Sequence, residues 1–544
     1  PQSERCRRVG GGRGHRPRRI DDYLSRFGRE DGPLPAGMPP RLFAFAALNM
    51  SPDVLRVIAT QARTGTLHFY VPTPSRRYWG DLPTYAQRLR DDPAESDDEN
   101  PLLAHWGDAG RDFMAVLGGY EVVHPSMELE RYADPEELPD DTPDRDSLLG
   151  RLQRDLLHRR APRPWRKTLD RDDPSVQVHA CHTRLREVQV LHDRLRALLD
   201  DPRFDPPLQA REIAVLAPDI DPYRPHIEAV FGGQGGRDTI PYALADLSPL
   251  AGEPLADVFL RLLALPTSRM GVSEVLDLLA TPALAQAAGL DAAGIERLHD
   301  WLREAGARWG LDPDHRARHD APADDAYTWR FALDRLLLGH ACGDDDDLAG
   351  VAPWTELEGG ALDALDALIR VLRVFARFER VFSRALAPEQ WRDGLLGMLD
   401  AVLPEQPRVA ADRRRMGGVR RHIDAFATSA VDAGFERTVP LDVVRAHFQQ
   451  ALSESDTRAP LLTGGVSFAR MVPMRLIPFR VICLLGMNDG DYPRRDPAGG
   501  LNRMTMELTT PARRFGDRSL REDDRFLFLQ LFASAGEVFH VSYL

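Results

Sequence analysis

Lysine is almost missing from this chain of 544 residues: Lys167 is its single example, and arginine carries the rest of the positive side-chain charge. Biased base composition in the gene explains that more simply than chemistry does. The scarcity still has a chemical consequence. A loop that cradles nucleotide phosphates needs glycines for its tight turn and a lysine that reaches the terminal phosphates. Lys167 sits in PWRKTLD with no glycine nearby, so these residues hold no such loop. Cysteine is scarce too. Cys6, Cys181, Cys342 and Cys483 stand singly, with no CxxC pair, which argues against a disulfide framework or a cysteine-bound cluster. There is no uninterrupted apolar run of about 18 residues, so no membrane-spanning helix is expected. No apolar stretch follows the N-terminal arginines as it would in a secretory leader. The expected compartment is the cytoplasm.

What remains has the balance of a soluble globular protein, 43% hydrophobic and 28% charged. The length suits three or four domains. A net charge of -13 excludes a uniformly basic nucleic-acid coat but not a local basic channel. The ragged basic start, PQSERCRRVGGGRGHRPRRI, and the uncapped apolar finish, VFHVSYL, both read as cuts in a longer protein.

Residues 1–40, rich in Arg, Gly and Pro and without periodicity, are expected to be irregular. RLFAFAAL (41–48) reads as a strand, Ser51-Pro52 as the start of a helix running to about residue 62, and TLHFYVP (66–72) as a second strand. This is a parallel strand–helix–strand unit. Acidic or proline-rich segments at 91–100, 134–146 and 159–167 place a boundary near residue 170. VQVHACH, LREVQVLHDRLRALL and REIAVLAP repeat the strand–helix–strand order over 176–218, with Leu185, Val188, Leu191, Leu195 and Leu198 as the helix's apolar stripe. From about 250 to 455 the pattern is helical. Ser273 is expected to cap GVSEVLDLLA, residues 361–386 form one long helix, and GDDDDLAG (343–350) is an exposed loop. The sheet then resumes. FRVICLLG (479–486) is the continuous apolar run of a strand covered on both faces, followed by the loop MNDGDYP, a helix and the strand VFHVSY.

The last 24 residues, REDDRFLFLQLFASAGEVFHVSYL, resemble the sixth motif of superfamily-one helicases: an acidic pair (Asp523, Asp524), Arg525, an apolar helix, a short turn and a buried strand. Where that motif places Thr-Arg, this chain has Ala533-Ser534. The slot of the fifth motif, just before the 479–486 strand, reads Met471-Val472-Pro473-Met474-Arg475-Leu476-Ile477-Pro478-Phe479, without the motif's lysine, glycine or glutamate. MVPMRLIPFRVICLLGMNDGDYPR, FGDRSLREDDRFLF and VHACHTRLREVQVLHDRL, with SRRYWGDL, NPLLAHWGDAGRDF and LHDWLREAGARWGLD, are similar to the RecC family, the gamma subunits of bacterial exodeoxyribonuclease V (RecBCD). The resemblance runs from about residue 41 to the end, and residues 1–40 match nothing placeable.

The resemblance implies an α/β fold of inactive helicase-like RecA lobes with a large helical insertion. Residues 41–170 would be part of the first lobe, 171–250 and 461–544 the two halves of the second, and 251–460 the insertion. It implies a DNA-guiding and scaffolding subunit in double-strand break repair, without a catalytic residue of its own. It also implies RecB-like and RecD-like partner subunits that use ATP and magnesium, and contact with double-stranded ends and single strands. Some members scan the emerging strand for a Chi sequence. In this chain no cofactor or metal is expected. The degraded fifth and sixth motifs support the inactive-motor part from the residues themselves; Chi recognition rests on the resemblance alone.

Arginines crowd the segment around these motifs. Arg470, Arg475, Arg494, Arg495, Arg518 and Arg521, with Asp489 in the loop after the 479–486 strand, are the expected DNA contacts, since arginine pairs with phosphates and reads guanine edges. The competing reading is ion pairing with Asp489, Asp491, Asp517, Asp523 and Asp524. In HACH (179–182) strand alternation turns His182 away from His179 and Cys181, which argues against a metal site. Tyr78 and Trp79 could stack on a base, though core packing is the commoner role. Two rival functions stay open: an active ATP-dependent helicase with divergent motifs, and a pure scaffold that never touches DNA.

Overall fold

The computed structural model describes residues 16–29, 31–45, 50–82, 99–121, 127, 129–137, 147–161, 172–233, 239–252, 254–342, 347–348, 350–356, 362–403, 410–454, 464–474, 477–496, 503–508, 510, 513 and 517–544. By its contacts the chain divides into two units. One gathers Ser248–Ser455, the other Gly14–Leu247 and Asp456–Leu544.

The second unit opens with a helix, α1 (Arg16–Phe27), inside the stretch expected to be irregular. The residues explain it. Pro17 lies in the first turn, where a missing N–H costs little. Ile20, Tyr23, Leu24 and Phe27 then follow at helical spacing, with Leu24 buried and the Tyr23 hydroxyl 2.8 Å from Thr60 Oγ1. Next come β1 (Arg41–Phe45), α2 (Pro52–Ala59) and β2 (Thr66–Tyr70). The strands pair in parallel, and Ser51 caps α2 by accepting the Val54 N–H. Helices α3 (Pro101–Trp106), α4 (Asp108–Glu121) and α5 (Leu148–Leu157) follow. Most of the acidic and proline-rich boundary segments lie outside the described residues.

The larger sheet is built from β3 (Val176–Ala180), β4 (Ile213–Ala217), β5 (Tyr242–Leu244), β6 (Val466–Arg470), β7 (Phe479–Leu484) and β8 (Ala535–Tyr543). All six are parallel, in the order β3-β8-β7-β4-β6-β5. Strand alternation sends Ile213, Val215, Val481 and Cys483 to one face, against Val188, Leu191 and Leu195 of α6 (Arg184–Leu199) and Ile227 and Phe231 of α7 (Arg224–Phe231). It sends Ala214, Leu216, Ile482 and Leu484 to the other, against Phe526 and Leu529 of α8 (Leu520–Ser534), with Trp79, Leu103, Phe113 and Leu149. A parallel sheet covered on both faces explains why β4 and β7 read as unbroken apolar runs. Leu185, assigned from its spacing to the buried stripe of α6, is instead 40% exposed in the helix's first turn. Helix α8 ends at Ser534 and β8 starts at Ala535, so the short turn expected between them does not exist.

The other unit is helical throughout its main elements, among them Pro254–Leu263, Val272–Leu279, Leu362–Phe382, Pro388–Val402 and Leu441–Ser453. Its core joins Phe259, Leu279, Trp329, Phe375, Trp391 and Phe448. The Val272–Leu279 helix is entered from Gly271, whose backbone is extended (φ -67, ψ 148), and no side chain caps it. Ser273 therefore falls inside the first turn and is not the cap. Most of the acidic segment 343–350 lies outside the described residues. Among the described residues no helix is long and apolar enough to cross a membrane.

Candidate nucleic-acid interface

In open α/β sheets, ligands gather outside the carboxyl ends of the strands. At that edge, β7 gives way to a loop whose course is set by backbone and side-chain ties. Gly486 and Gly490 both have positive φ, +67° and +95°, conformations that favour glycine. Asn488 accepts the Leu544 N–H at 2.7 Å through Oδ1 and donates to Asp491 at 3.0 Å. Asp524, 1% exposed within α8, then holds the next stretch. It accepts the Arg494 backbone N–H at 2.8 Å and the Arg494 guanidinium at 2.6 and 3.0 Å, while the Tyr492 hydroxyl donates to its carbonyl oxygen. Asp496 accepts from Ser519 Oγ at 2.7 Å and the Leu520 N–H at 2.6 Å. Ser519 in turn caps α8 through the Glu522 N–H. The acidic pair legible in the sequence is thus divided: Asp524 clamps the loop, and Asp523 takes Arg518 at 2.6 Å.

The expected DNA contacts separate into paired and unpaired cations. Arg470, at the end of β6, is shared between Asp219 (2.8 Å) and Asp221 (2.9 Å) and donates to the Asp246 carbonyl. Arg494 and Arg518 pair with Asp524 and Asp523, although both side chains stay about half exposed (52% and 55%). Arg495 and Arg521 are exposed and make no ion pair among the described residues; Asp489 is exposed as well. Arg475 lies outside the described residues. Among the described residues, Asp523 and Asp524 are acids weighed as competing partners that do hold expected contacts. The partners of Arg470, Asp219 and Asp221, come from the far side of the helical segment in sequence. Arg480 stands at the opposite, amino edge, bound to Glu537 and Glu212. Burial raises the pKa of Asp523 against the opposing pull of Arg518, and raises that of Glu522 against Arg513. The hydrogen bond to Asp524 raises that of Arg494.

One acid at this edge escaped sequence reasoning. Glu187, in the first turn of α6, is 1% exposed. Its Oε1 accepts the Gly486 N–H at 2.9 Å and the Ser542 hydroxyl at 2.6 Å, and its Oε2 accepts the Tyr223 hydroxyl at 2.7 Å. Those donors follow β7, end β8 and follow β4, so one carboxylate gathers three neighbouring strand ends.

At the amino edge, where the sixth-motif comparison seats an arginine, the Ser534 hydroxyl donates back into its own helix, to the carbonyls of Gln530 (2.8 Å) and Leu531 (3.2 Å). A six-residue strand spans roughly 20 Å, so this position and the Gly486 loop occupy opposite ends of the sheet. His179 stacks on His540 with ring centroids 4.6 Å apart, and Cys181 is buried. Among the described residues one group has metal-ligand spacing, Asp134, Glu136 and His158. Arg160 already binds Glu136 at 2.6 Å and Arg76 lies 3.7 Å from Asp134, so guanidinium groups supply its counter-charge. Trp79 is buried and Tyr78 exposed.

Two family models match the chain: "RecBCD enzyme subunit RecC fourth domain" over residues 252–456 and "RecC, N-terminal domain" over residues 4–159. The second reaches into the stretch that sequence reading left unmatched. Among curated proteins, the chain is similar to "RecBCD enzyme subunit RecC" of Escherichia coli K12 (33% identity over 94% of this chain and 47% of that protein). Proteins of the same description from Haemophilus influenzae (27%, covering 94% and 47%) and Mycobacterium tuberculosis H37Rv (31%, covering 96% and 46%) are also similar. The chain spans about half the length of the curated relatives it matches.

Proposed function

The chain belongs to the RecC family, and from that premise we propose that it serves a RecBCD-type helicase–nuclease in double-strand break repair as a non-hydrolysing subunit that guides DNA and scaffolds its motor. The observation that carries the reading is Ser534. Its hydroxyl is spent on its own helix, at the position where the related motif places an arginine. An arginine that stabilises a transferring phosphoryl group is worth on the order of 10³–10⁵ in rate, and serine offers no such charge. The family's RecB-like and RecD-like partners would supply ATP and magnesium chemistry, and the assembly would work in the cytoplasm on duplex ends and the strands they release. Scanning of the released strand for Chi is the finer form of the same reading.

The protein purified alone, given DNA and magnesium ATP, is expected to show no turnover; robust hydrolysis would hand the case to the active-helicase reading. DNA guidance is assigned to the carboxyl edge, where Arg495 and Arg521 are unpaired among the described residues. Replacing both with alanine in the assembled complex is expected to weaken forked-DNA binding. The salt dependence should flatten by about 0.9 in log–log slope for each phosphate that the variant leaves un-neutralised. Unchanged affinity across a salt series would favour the pure scaffold.

A further inference from the structure

A buried carboxylate is costly unless its oxygens are satisfied, and Glu187 is satisfied three times over. Each donor comes from a segment following or ending a different strand, and the carboxylate sits in the first turn of α6, where the helix dipole favours negative charge. Two further features show that the arrangement is built. Gly486 has φ +67°, and a Cβ there would lie 2.6 Å from the Tyr223 hydroxyl, so neither the backbone nor the space admits another residue without strain. Arg184 stands over the Tyr223 ring at 5.9 Å, placing a cation beside the network. Backbone N–H and hydroxyl groups converging outside the strand ends of a parallel sheet are what an anionic ligand would meet there. Here the chain's own carboxylate takes them.

We propose that Glu187 is a positioning residue: it is the resident anion of this three-donor nest, and it sets where the loop from Gly486 to Asp496 leaves β7, and hence where Arg494 and Arg495 are presented. The second half rests on the reading that this edge contacts DNA. Gly486 is the loop's first residue, and its N–H is tied to Glu187. Asp524 and Asp496 fix the middle and far end. Without the carboxylate, the near end loses its tie at Gly486 and keeps those one and two residues on, from the Met487 N–H to the Ser542 carbonyl (3.0 Å) and from the Leu544 N–H to Asn488, while three donors face an empty space suited to a small carboxylate.

The test uses the full-length protein assembled with its partners, with Glu187→Ala and, as the shape-preserving control, Glu187→Gln. Amide hydrogen exchange of 486–496 reports the loop, and forked-DNA binding over a salt series reports the presentation of the arginines. Glu187→Ala is expected to speed exchange at the start of the loop by about tenfold, the scale of one missing hydrogen bond to a charged group, and to weaken DNA binding. Sodium formate, against sodium chloride at equal ionic strength, is expected to restore both. Glu187→Gln, which keeps one accepting oxygen for Gly486 and Ser542, is expected to stay near the parent. Unchanged exchange in Glu187→Ala, or a loss that formate does not restore while Glu187→Gln is normal, overturns the inference. So does faster exchange with unaltered DNA binding when Arg495→Ala does weaken binding. If Arg494→Ala and Arg495→Ala both leave DNA binding intact, the DNA reading of this edge fails, and exchange with formate rescue decides the anchoring by Glu187.

Discussion

Gly486 shows how much one residue at a strand end can hold. Its positive φ and the nearby Tyr223 hydroxyl both oppose a side chain. Gly486→Ala is therefore expected to cost about 2 kcal/mol from backbone strain and a displaced hydrogen bond, read as a lowered urea midpoint. In the helical unit, His315 is fully buried, and neither ring nitrogen has a hydrogen-bond partner among the described residues. Burial, aided by His319 and Arg318 and opposed by Asp312, lowers its pKa to about 4 from 6.5. Its folded-state pKa lies below its unfolded value, so its neutral form stabilises the fold fully above about pH 6.5. That contribution falls as pH drops toward 4, because the unfolded chain takes up a proton that the folded one refuses. By pH 5 the loss is about 2 kcal/mol. His315→Leu is expected to remove that part of the pH dependence, seen by comparing denaturation midpoints of parent and variant at pH 7 and pH 5. Neither residue announced itself in the sequence. A lone glycine after an apolar run reads as a turn, and a histidine two residues after a proline reads as surface; the first is decided by Tyr223, distant along the chain, and the second by burial.

Elements were far more legible than their contacts. Period-2 and continuous apolar runs located β3, β4, β7 and β8, and Ser51 identified the start of α2, because those signals are local. The errors share a cause as well. Helix α1 was hidden because its arginines and prolines outweighed the stripe Ile20, Tyr23, Leu24 and Phe27. Ser273 has the chemistry of a cap, but the chain turns into the helix two residues earlier, at Gly271. The arginines at the carboxyl edge could be located from sequence, whereas their partners could not. Arg470 finds its acids after β4, and Arg494 finds Asp524 thirty residues further along, within α8. The cap of α8 carries two tasks, since Ser519 accepts from Glu522 and donates to Asp496. Ser519→Ala is expected to cost about 1–2 kcal/mol and to speed amide exchange in both the first turn of α8 and the end of the loop.

At the scale of the molecule, the helical unit carries its own core, in which Trp329, Phe375, Trp391 and Phe448 are all essentially inaccessible. A protein of residues 248–456 alone is expected to be helical by circular dichroism and to melt in one cooperative transition; a featureless, gradual melt would show that its core depends on the sheet. The sheet has the opposite character. Strands β3 and β4, early in the chain, are bridged by β8 and β7, which come after the whole helical segment. Among the described residues the only neighbour of β3 in this sheet is β8, more than 350 residues further on. On the ribosome, β3 must wait, unpaired, while the intervening helices emerge and fold first. Closing so long a loop slows assembly. The nascent chain therefore passes through a stage with a finished helical body and an open sheet edge, and it is at that stage that a chaperone would find most to bind.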